Sequence, residues 1–107
     1  MLTAEMQYII RNFNAGSVAT VDADGRPKVS PKATFLILDD ATIAFANIRS
    51  PGTIANLRCN ATLEVCFTDI LARKAVRVSG TGEVVLISDA PASIRDPFQE
   101  GWNYLAD

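Results

Sequence analysis

The feature that most constrains the fold of this chain is a succession of short strand-like runs separated by turn residues. The runs are rich in β-branched and aromatic residues, and Gly, Asp, Asn and Pro mark the breaks between them. The break "DADG" at 22–25 places Gly25 where a hairpin turn needs a positive φ. The pattern predicts strands over 17–21, 27–38, 42–48, 62–69 and 73–87.

Helical patterns occur near the two ends of the chain and at one crossover. Residues 3–13 carry an apolar stripe at helical spacing behind Thr3, a suitable N-cap, and a short helix is expected at about 51–59. Ser88 or Asp89 can cap a third helix, which Pro97 should break. Five or six strands with helices only at these places predict a mainly β fold, a small antiparallel barrel with peripheral helices. The length of 107 residues predicts a single domain, residues 1–107.

Two of the strand-like runs contain residues that disturb a regular ladder. In the run 27–38, Pro31 has no N–H to donate, so this strand should lie at an edge or be irregular there. In the run 73–87, Gly80 and Gly82 predict a bulge or a sharp coil. The run 27–38 also alternates between two faces. Its polar face comprises Lys28, Ser30, Lys32 and Thr34, and its apolar face Val29, Pro31, Ala33, Phe35 and Ile37.

Composition excludes several classes of function. The formal net charge is −2 without a block of Lys or Arg, so we expect no nucleic-acid or anionic-membrane partner. No apolar run is long enough to cross a bilayer and no secretory leader pattern is present, which predicts a cytoplasmic protein. Six residues separate Cys59 from Cys66, and we expect reduced, partly buried thiols and no metal site. Histidine is absent, so an enzyme of this sequence would borrow its reactive group from a cofactor.

The stretch "NIRSPGTIANL", residues 47–57, has the composition of an anion site at a helix start. Ser50 is a good N-cap and Pro51 a good first helical residue, so Gly52 and Thr53 follow in the first turn. Backbone N–H groups there lack intrahelical partners, and the positive end of the helix dipole attracts anions. Arg49 adds a charge nearby. An ordinary helix start has the same composition, so both interpretations remain open.

The polar face of the run 27–38 permits two interpretations as well. It is either a solvated strand face, or a face on which Ser30 and Lys32 look into a groove and meet a phosphate from its other side.

Three segments, in this order, resemble a known family: "VATVDADGRPKVSPKATF", "IAFANIRSPGTIANLRCN" and "RKAVRVSGTGEVV". They are similar to the pyridoxamine 5′-phosphate oxidase-like FMN-binding split-barrel proteins, especially their short flavin-nucleotide-binding members. The resemblance covers roughly residues 15–87. It implies a six-stranded antiparallel split β-barrel that forms a homodimer with FMN at the subunit interface.

The resemblance also implies which residues hold the cofactor. In such proteins the segments matching "VSPKA" and "NIRSPGT" hold the ribityl phosphate and one edge of the flavin. The cofactor-binding residues implied here are Ser30, Lys32, Ala33, Asn47, Ile48, Arg49, Ser50, Thr53 and Asn56. Ala75 stands where the longer oxidases have a Gln that touches the isoalloxazine of the partner subunit, and Arg77 is retained. Trp102 and Tyr104 either fold over the partner's flavin or anchor the C-terminal segment.

Three hypotheses of function follow. The first is an FMN-dependent oxidoreductase of a small molecule that uses NAD(P)H or a similar donor, with no catalytic acid or base assigned. Pyridoxamine phosphate oxidation itself is not expected, because the Arg and His of the oxidases' C-terminal extension have no counterpart. The second is a flavin-binding carrier or electron-transfer module without turnover. The third is a split barrel for another phosphate-bearing cofactor such as F420, or for a haem-type ligand, against which the absence of His counts.

Overall fold

The computed structural model describes residues 1–33, 35–46, 51–90 and 92. The elements in chain order are α1 (Ala4–Asn12), β1 (Gly16–Val21), β2 (Pro27–Lys32), β3 (Phe35–Asp39), β4 (Thr42–Phe45), α2 (Pro51–Cys59), β5 (Thr62–Asp69), β6 (Lys74–Thr81) and a short 3-10 helix (Ile87–Asp89). Within the described residues, an antiparallel four-stranded sheet has the strand order β2-β1-β5-β6, and β3 pairs with β4 in a separate two-stranded sheet. This confirms a mainly β, antiparallel fold, in the open arrangement of a split barrel.

The core lies between α1 and the inner face of the four-stranded sheet. Thr3 caps α1, and its hydroxyl accepts a hydrogen bond from the Met6 N–H at 3.2 Å. The helix then buries Ile9 and Ile10, as its stripe predicts. The Phe35 ring of β3 meets the Phe67 ring edge-on, with 4.7 Å between centroids, which ties the two sheets together. The buried apolar residues are Ile9, Ile10, Val18, Phe35, Val65, Phe67 and Val76.

The turn between β1 and β2 confirms the hairpin prediction. Gly25 has a φ of +81°. One carboxylate oxygen of Asp22, Oδ1, accepts hydrogen bonds from the backbone N–H groups of Asp24 and Arg26, each at 2.9 Å. The resulting register places Lys28 opposite Thr20 and Ser30 opposite Val18, so these residues share the inner face of the sheet.

The predicted strand 27–38 is wrong in one respect, because it is two strands in two different sheets. β2 ends at Lys32, whose partner Gly16 is the first residue of β1, so no ladder partner remains beyond it. The Asn14 side chain then takes the place of a strand: it accepts from the Phe35 N–H at 2.5 Å and donates to the Phe35 carbonyl at 3.2 Å. As predicted around Pro31, β2 is an edge strand.

The break after Lys32 exchanges the two faces of the run. In β2, Lys32 is buried and Val29 is 69% exposed, whereas in β3 it is Phe35 that is buried. Lys32 and Phe35 are three residues apart, so a continuous strand would point them to opposite sides. The expected continuous apolar face from Val29 to Ile37 is therefore wrong, and in β2 the polar face turns inward.

The last predicted strand is too long at its C-terminal end. β6 stops at Thr81, opposite the first residue of β5, Thr62. Residues 82–86 form no strand. Of the predicted bulge or sharp coil at Gly80 and Gly82, the bulge is wrong at Gly80, which pairs in register with Leu63, and Gly82 lies just beyond the end of the strand. The run 42–48 also stops early as a strand, at Phe45. Ser88 and Asp89 lie within the 3-10 helix, and Pro97 lies outside the described residues.

Both cysteines are free thiols, as predicted, but both are exposed rather than partly buried. Cys66 lies on the outer face of β5 between the inward residues Val65 and Phe67, and Cys59 is the last residue of α2. Within the described part of the chain, no helix has the length and apolar character needed to cross a membrane.

Candidate functional site

A cleft of about 340 Å³ lies between the β1–β2 hairpin and the first two turns of α2. Residues of β1, of the turn after it and of β2 meet residues of α2 there, and Thr20 and Asn56, which are in direct contact, are 36 positions apart along the chain. The volume falls in the range of small-molecule sites. The lining residues are Thr20, Asp22, Lys28, Ser30, Gly52, Thr53 and Asn56.

The hairpin wall of the cleft is the inner face of β1 and β2. Lys28 and Ser30 are two residues apart on the edge strand, so both point to the side of the sheet that carries Thr20. Thr20 is almost fully buried, and Ser30 is half-buried. This wall therefore offers an ammonium group and hydroxyl groups in a row.

The helix wall is fixed to the sheet by one polar contact. The Asn56 amide nitrogen donates to the Thr20 hydroxyl oxygen at 3.1 Å. Asn56 is one turn after Thr53 on the same face of α2, so this bond also holds the buried Thr53 towards β1. The contact sets the orientation in which the N-terminus of α2 meets the cleft.

The N-terminal turn of α2 supplies backbone donors. Pro51 has no N–H, so the first donors without an intrahelical acceptor are those of Gly52 and Thr53. A Cβ added to Gly52 would meet no atom within 4 Å. Packing among the described residues therefore does not require a glycine there, whereas close approach of a ligand would.

Two lysines and one aspartate among the described residues lie in or beside the cleft, so positive charge is in excess there. The Lys28 Nζ lies 3.8 Å from the Asp22 Oδ2, an ion pair without a direct hydrogen bond. Lys32 follows Ser30 on the same face, is only 9% exposed, and no described residue pairs with its ammonium group. Burial lowers the pKa of Lys32, because desolvation disfavours the charged form. An anionic ligand would offset the free-energy cost of burying the charged form of this lysine.

The structure brings three of the predicted site residues together at the cleft: Ser30, Thr53 and Asn56. Lys32 lies one step further along the same face and does not line the cleft, and Ala33 is exposed beyond the end of β2. Asn47, Ile48, Arg49 and Ser50 lie outside the described residues, as do Trp102 and Tyr104. The assignment of all nine residues to a cofactor stays a prediction.

Sequence reasoning missed three residues of the cleft: Thr20, Asp22 and Lys28. Asp22 was interpreted as a turn residue, which it is, but its second carboxylate oxygen reaches the cleft side of the hairpin. Two signals could have identified the others. Lys28 precedes Ser30 by the two-residue period of a strand, and the hairpin turn fixes Thr20 opposite Lys28.

Ala75 and Arg77 lie away from the cleft. Both are on the outer face of β6, opposite Thr68 and Cys66, and the Arg77 Nε is 4.0 Å from the Glu64 Oε2. A contact of this face with a ligand would have to come from another subunit.

Comparison with known proteins identifies a protein family that matches nearly the whole chain. A family profile described as "Pyridoxamine 5′-phosphate oxidase" matches residues 2–103 of the chain. A search of curated proteins gave no match.

Solved structures agree with that match. Two crystal structures of the tagged Group A Streptococcus protein HupZ, one of them a single-residue variant, are each 31% identical to this chain with a TM-score of 0.81. They match 94% of this chain, and 84% of the variant and 79% of the other HupZ chain. A Lactobacillus delbrueckii protein, provisionally described as a pyridoxamine 5′-phosphate oxidase, is 31% identical with a TM-score of 0.69. That match covers 75% of this chain and 65% of the Lactobacillus protein.

Proposed function

The chain belongs to the pyridoxamine 5′-phosphate oxidase family, and on that premise we propose that it binds FMN and acts as a flavin-dependent oxidoreductase on a small molecule. One observation carries the proposal. The two segments that the sequence singled out, around Ser30 and around Thr53, meet at one cleft at the N-terminus of α2. Neither segment alone distinguishes a phosphate site from ordinary structure, whereas their convergence favours a ligand.

The donor set of the cleft fits a phosphate ester. The backbone N–H groups of Gly52 and Thr53 and the hydroxyls of Thr53 and Ser30 are all groups that donate to phosphate oxygens. Lys32 adds a cation on the same strand face as Ser30. We assign these residues to the phosphate end of FMN, and Asn47 to Ser50 to its neighbouring part, following the family resemblance.

FMN, when bound, would supply the redox chemistry, because its ring system accepts and returns electrons. The chain's own residues would bind the phosphate, orient the cofactor and exclude water from it. No described side chain is assigned as a catalytic acid or base. NAD(P)H is the proposed electron donor, and pyridoxamine phosphate is not the proposed substrate.

We further propose a homodimer in the cytoplasm, with FMN near the subunit interface. Support for the dimer comes from the outer face of β2, where Val29 is 69% exposed beside the exposed Pro31. An edge strand with an apolar outer face gains from a covering partner. The turn between β5 and β6 also exposes Ile70 and Leu71, at 80% and 92%.

The first experiment compares FMN with riboflavin, which lacks the phosphate, by absorption after desalting and by calorimetry. We expect FMN to bind and riboflavin to bind much more weakly. Thr53→Ala and Lys32→Ala should each weaken FMN binding by about 1–3 kcal/mol, the scale of a lost hydrogen bond to a charged group. The matched controls Thr42→Ala and Lys74→Ala, both on exposed positions away from the cleft, should bind as the parent does. Parent-like FMN binding by both Thr53→Ala and Lys32→Ala would show that the phosphate lies elsewhere.

Two alternative functions are separated by the next measurement. Bleaching of bound flavin by NAD(P)H and its recovery in air would support an oxidoreductase. A yellow protein inert to nicotinamides would indicate a flavin carrier or electron-transfer module. A protein that takes up F420 in place of FMN would keep the phosphate site and change the cofactor.

A further inference from the structure

The hairpin end of the cleft holds a carboxylate that a phosphate site does not need. Asp22 lines the cleft together with Lys28, Ser30 and Thr53. Its Oδ1 is committed to the backbone of the turn, at 2.9 Å from the N–H groups of both Asp24 and Arg26. Its Oδ2 faces Lys28 at 3.8 Å. The turn therefore holds this negative charge in place at the mouth of an otherwise anion-attracting cleft.

The charges of the described lining residues cancel. Asp22 contributes one negative charge and Lys28 one positive charge, and no other described lining residue is ionisable. The Asp22 side chain is only 23% exposed, so solvent screens its field less than it screens that of Lys28, which is 57% exposed. Once the charges of Asp22 and Lys28 cancel, the described groups that still attract an anion are the N-terminus of α2 and Lys32, which lies further along the same face of β2.

We propose that the Asp22–Lys28 pair is a specificity device that makes the cleft prefer ligands with a single phosphate ester over diphosphates. This inference rests on the proposed phosphate-ester function of the cleft. Lys28 lies two residues, or about 6.6 Å, from Ser30 along the edge strand. A second phosphate that extends towards the hairpin therefore meets Asp22 and a lysine already paired with it. A monophosphate held between Ser30 and Thr53 does not extend that far.

The test uses the whole chain and three variants: Asp22→Asn, Lys28→Met and the double variant that carries both. Asp22→Asn keeps the oxygen that accepts the two turn N–H groups and removes only the charge, so the hairpin persists. Binding of FMN, FAD and riboflavin is measured by calorimetry at low salt. Inorganic phosphate and pyrophosphate are titrated by NMR into the same proteins.

We expect Asp22→Asn to strengthen FAD and pyrophosphate binding about two- to fivefold, the range of a partly exposed charge interaction. Binding of FMN and phosphate should change less, and that of riboflavin not at all. Lys28→Met should weaken pyrophosphate and FAD binding, and the double variant should return towards the parent because the two charges cancel. The gain from Asp22→Asn should shrink in high salt, as a purely structural effect would not.

Asp24→Asn is the matched control, since it removes the same charge from the same turn at a residue that does not line the cleft. A gain of similar size from Asp24→Asn would overturn the proposal, because the effect would then be one of overall charge. Parent-like selectivity in Asp22→Asn, or equal losses for FMN and riboflavin, would overturn it as well.

The same measurements distinguish a failure of the proposed function from a failure of this inference. If the parent binds no flavin but its phosphate and pyrophosphate affinities shift as described, FMN is the wrong ligand and the selectivity device stands. If the parent binds FMN and the variants do not change its preference, FMN is the ligand and the device is wrong. If neither flavins nor inorganic anions bind, both proposals fall.

Discussion

Burial of Lys32 is expected to lower the stability of the folded protein. It ends β2, is 9% exposed, and no described residue neutralises it. A buried, unneutralised cation costs free energy in the folded protein. We therefore propose that Lys32 serves an anionic ligand rather than the packing of the described residues.

Lys32→Met should raise the free energy of unfolding by about 1 kcal/mol at neutral pH while it weakens FMN binding. Burial lowers the Lys32 pKa below the ordinary lysine value of about 10.4. At a pH between the lowered pKa of Lys32 in the folded protein and the ordinary value in the unfolded chain, Lys32 is protonated in the unfolded chain and neutral in the folded protein. The free energy of unfolding of the parent should therefore rise as the pH increases through this alkaline range. Urea unfolding at neutral and alkaline pH measures both effects.

The Met variant should lack the alkaline rise, and Lys28→Met, at an exposed position, should leave stability nearly unchanged. Lower stability of Lys32→Met at neutral pH would contradict the interpretation of Lys32 as an unneutralised buried cation.

Gly16 is required by close packing. A Cβ built on it would lie 2.8 Å from the Phe35 Cε2 and 2.9 Å from the Phe67 Cε1, so both rings would have to shift. Gly16→Ala should lower the free energy of unfolding by about 1–3 kcal/mol, as overpacked cores do. Thermal and urea unfolding measure the loss.

Gly80→Ala is the matched control for Gly16→Ala. Gly80 also lies in a strand, but a Cβ there would meet nothing within 4 Å. The control should be neutral or slightly stabilising. Equal losses in the two variants would indicate that strand glycines, rather than the two rings, explain the effect.

At the scale of elements, Asn14 decides how the chain passes from one sheet to the other. Its amide group donates to the carbonyls of Ile10 and Phe35 and accepts from the Phe35 N–H. It thus joins the end of α1 to the first residue of β3 at the place where β2 has no partner left. The alternation of polar and apolar residues in the run 27–38 predicted one strand. It could not reveal the break, because the Asn14 side chain that hydrogen-bonds the Phe35 backbone in place of a neighbouring strand lies outside that run.

Asn14→Ala should cost about 1–3 kcal/mol of unfolding free energy, because the Phe35 N–H and carbonyl lose their partners. Hydrogen exchange should accelerate at Phe35 before it does in β5. Asn12→Ala is the control: it removes a single exposed bond to the Tyr8 carbonyl and should cost less than about 0.5 kcal/mol. A loss in Asn12→Ala as large as that in Asn14→Ala would refute the special role of Asn14.

At the scale of the whole molecule, the exposed outer face of β2 bears on assembly. Val29 is 69% exposed in the single chain, and Val29→Glu should convert the proposed dimer to a monomer, because the charge would lie in the apolar contact that the dimer is proposed to bury. Light scattering coupled to size exclusion measures the mass. Ala55→Glu, an exposed position on α2, should leave the mass unchanged. An unsubstituted protein that is already monomeric at micromolar concentration would contradict the dimer proposal.

Local chemistry in the sequence was enough for much of this molecule. Thr3, the stripe of α1, the DADG turn and the start of α2 at Pro51 depend on contacts within a few residues, and each was predicted. The mainly β class follows from the order of such segments, and the resemblance of three segments indicated the family that the comparisons then supported.

Only the tertiary structure decided the rest, because it depends on distant partners. β2 and β6 end where Gly16 and Thr62 leave them without a neighbour, and no local pattern contains that information. The same holds for the cleft. Asp22 and Lys28 resemble ordinary turn and surface residues until the hairpin register and the Asn56–Thr20 bond place α2 opposite them. Short-range preferences choose the elements, whereas strand pairing across the chain chooses where they end and what they face.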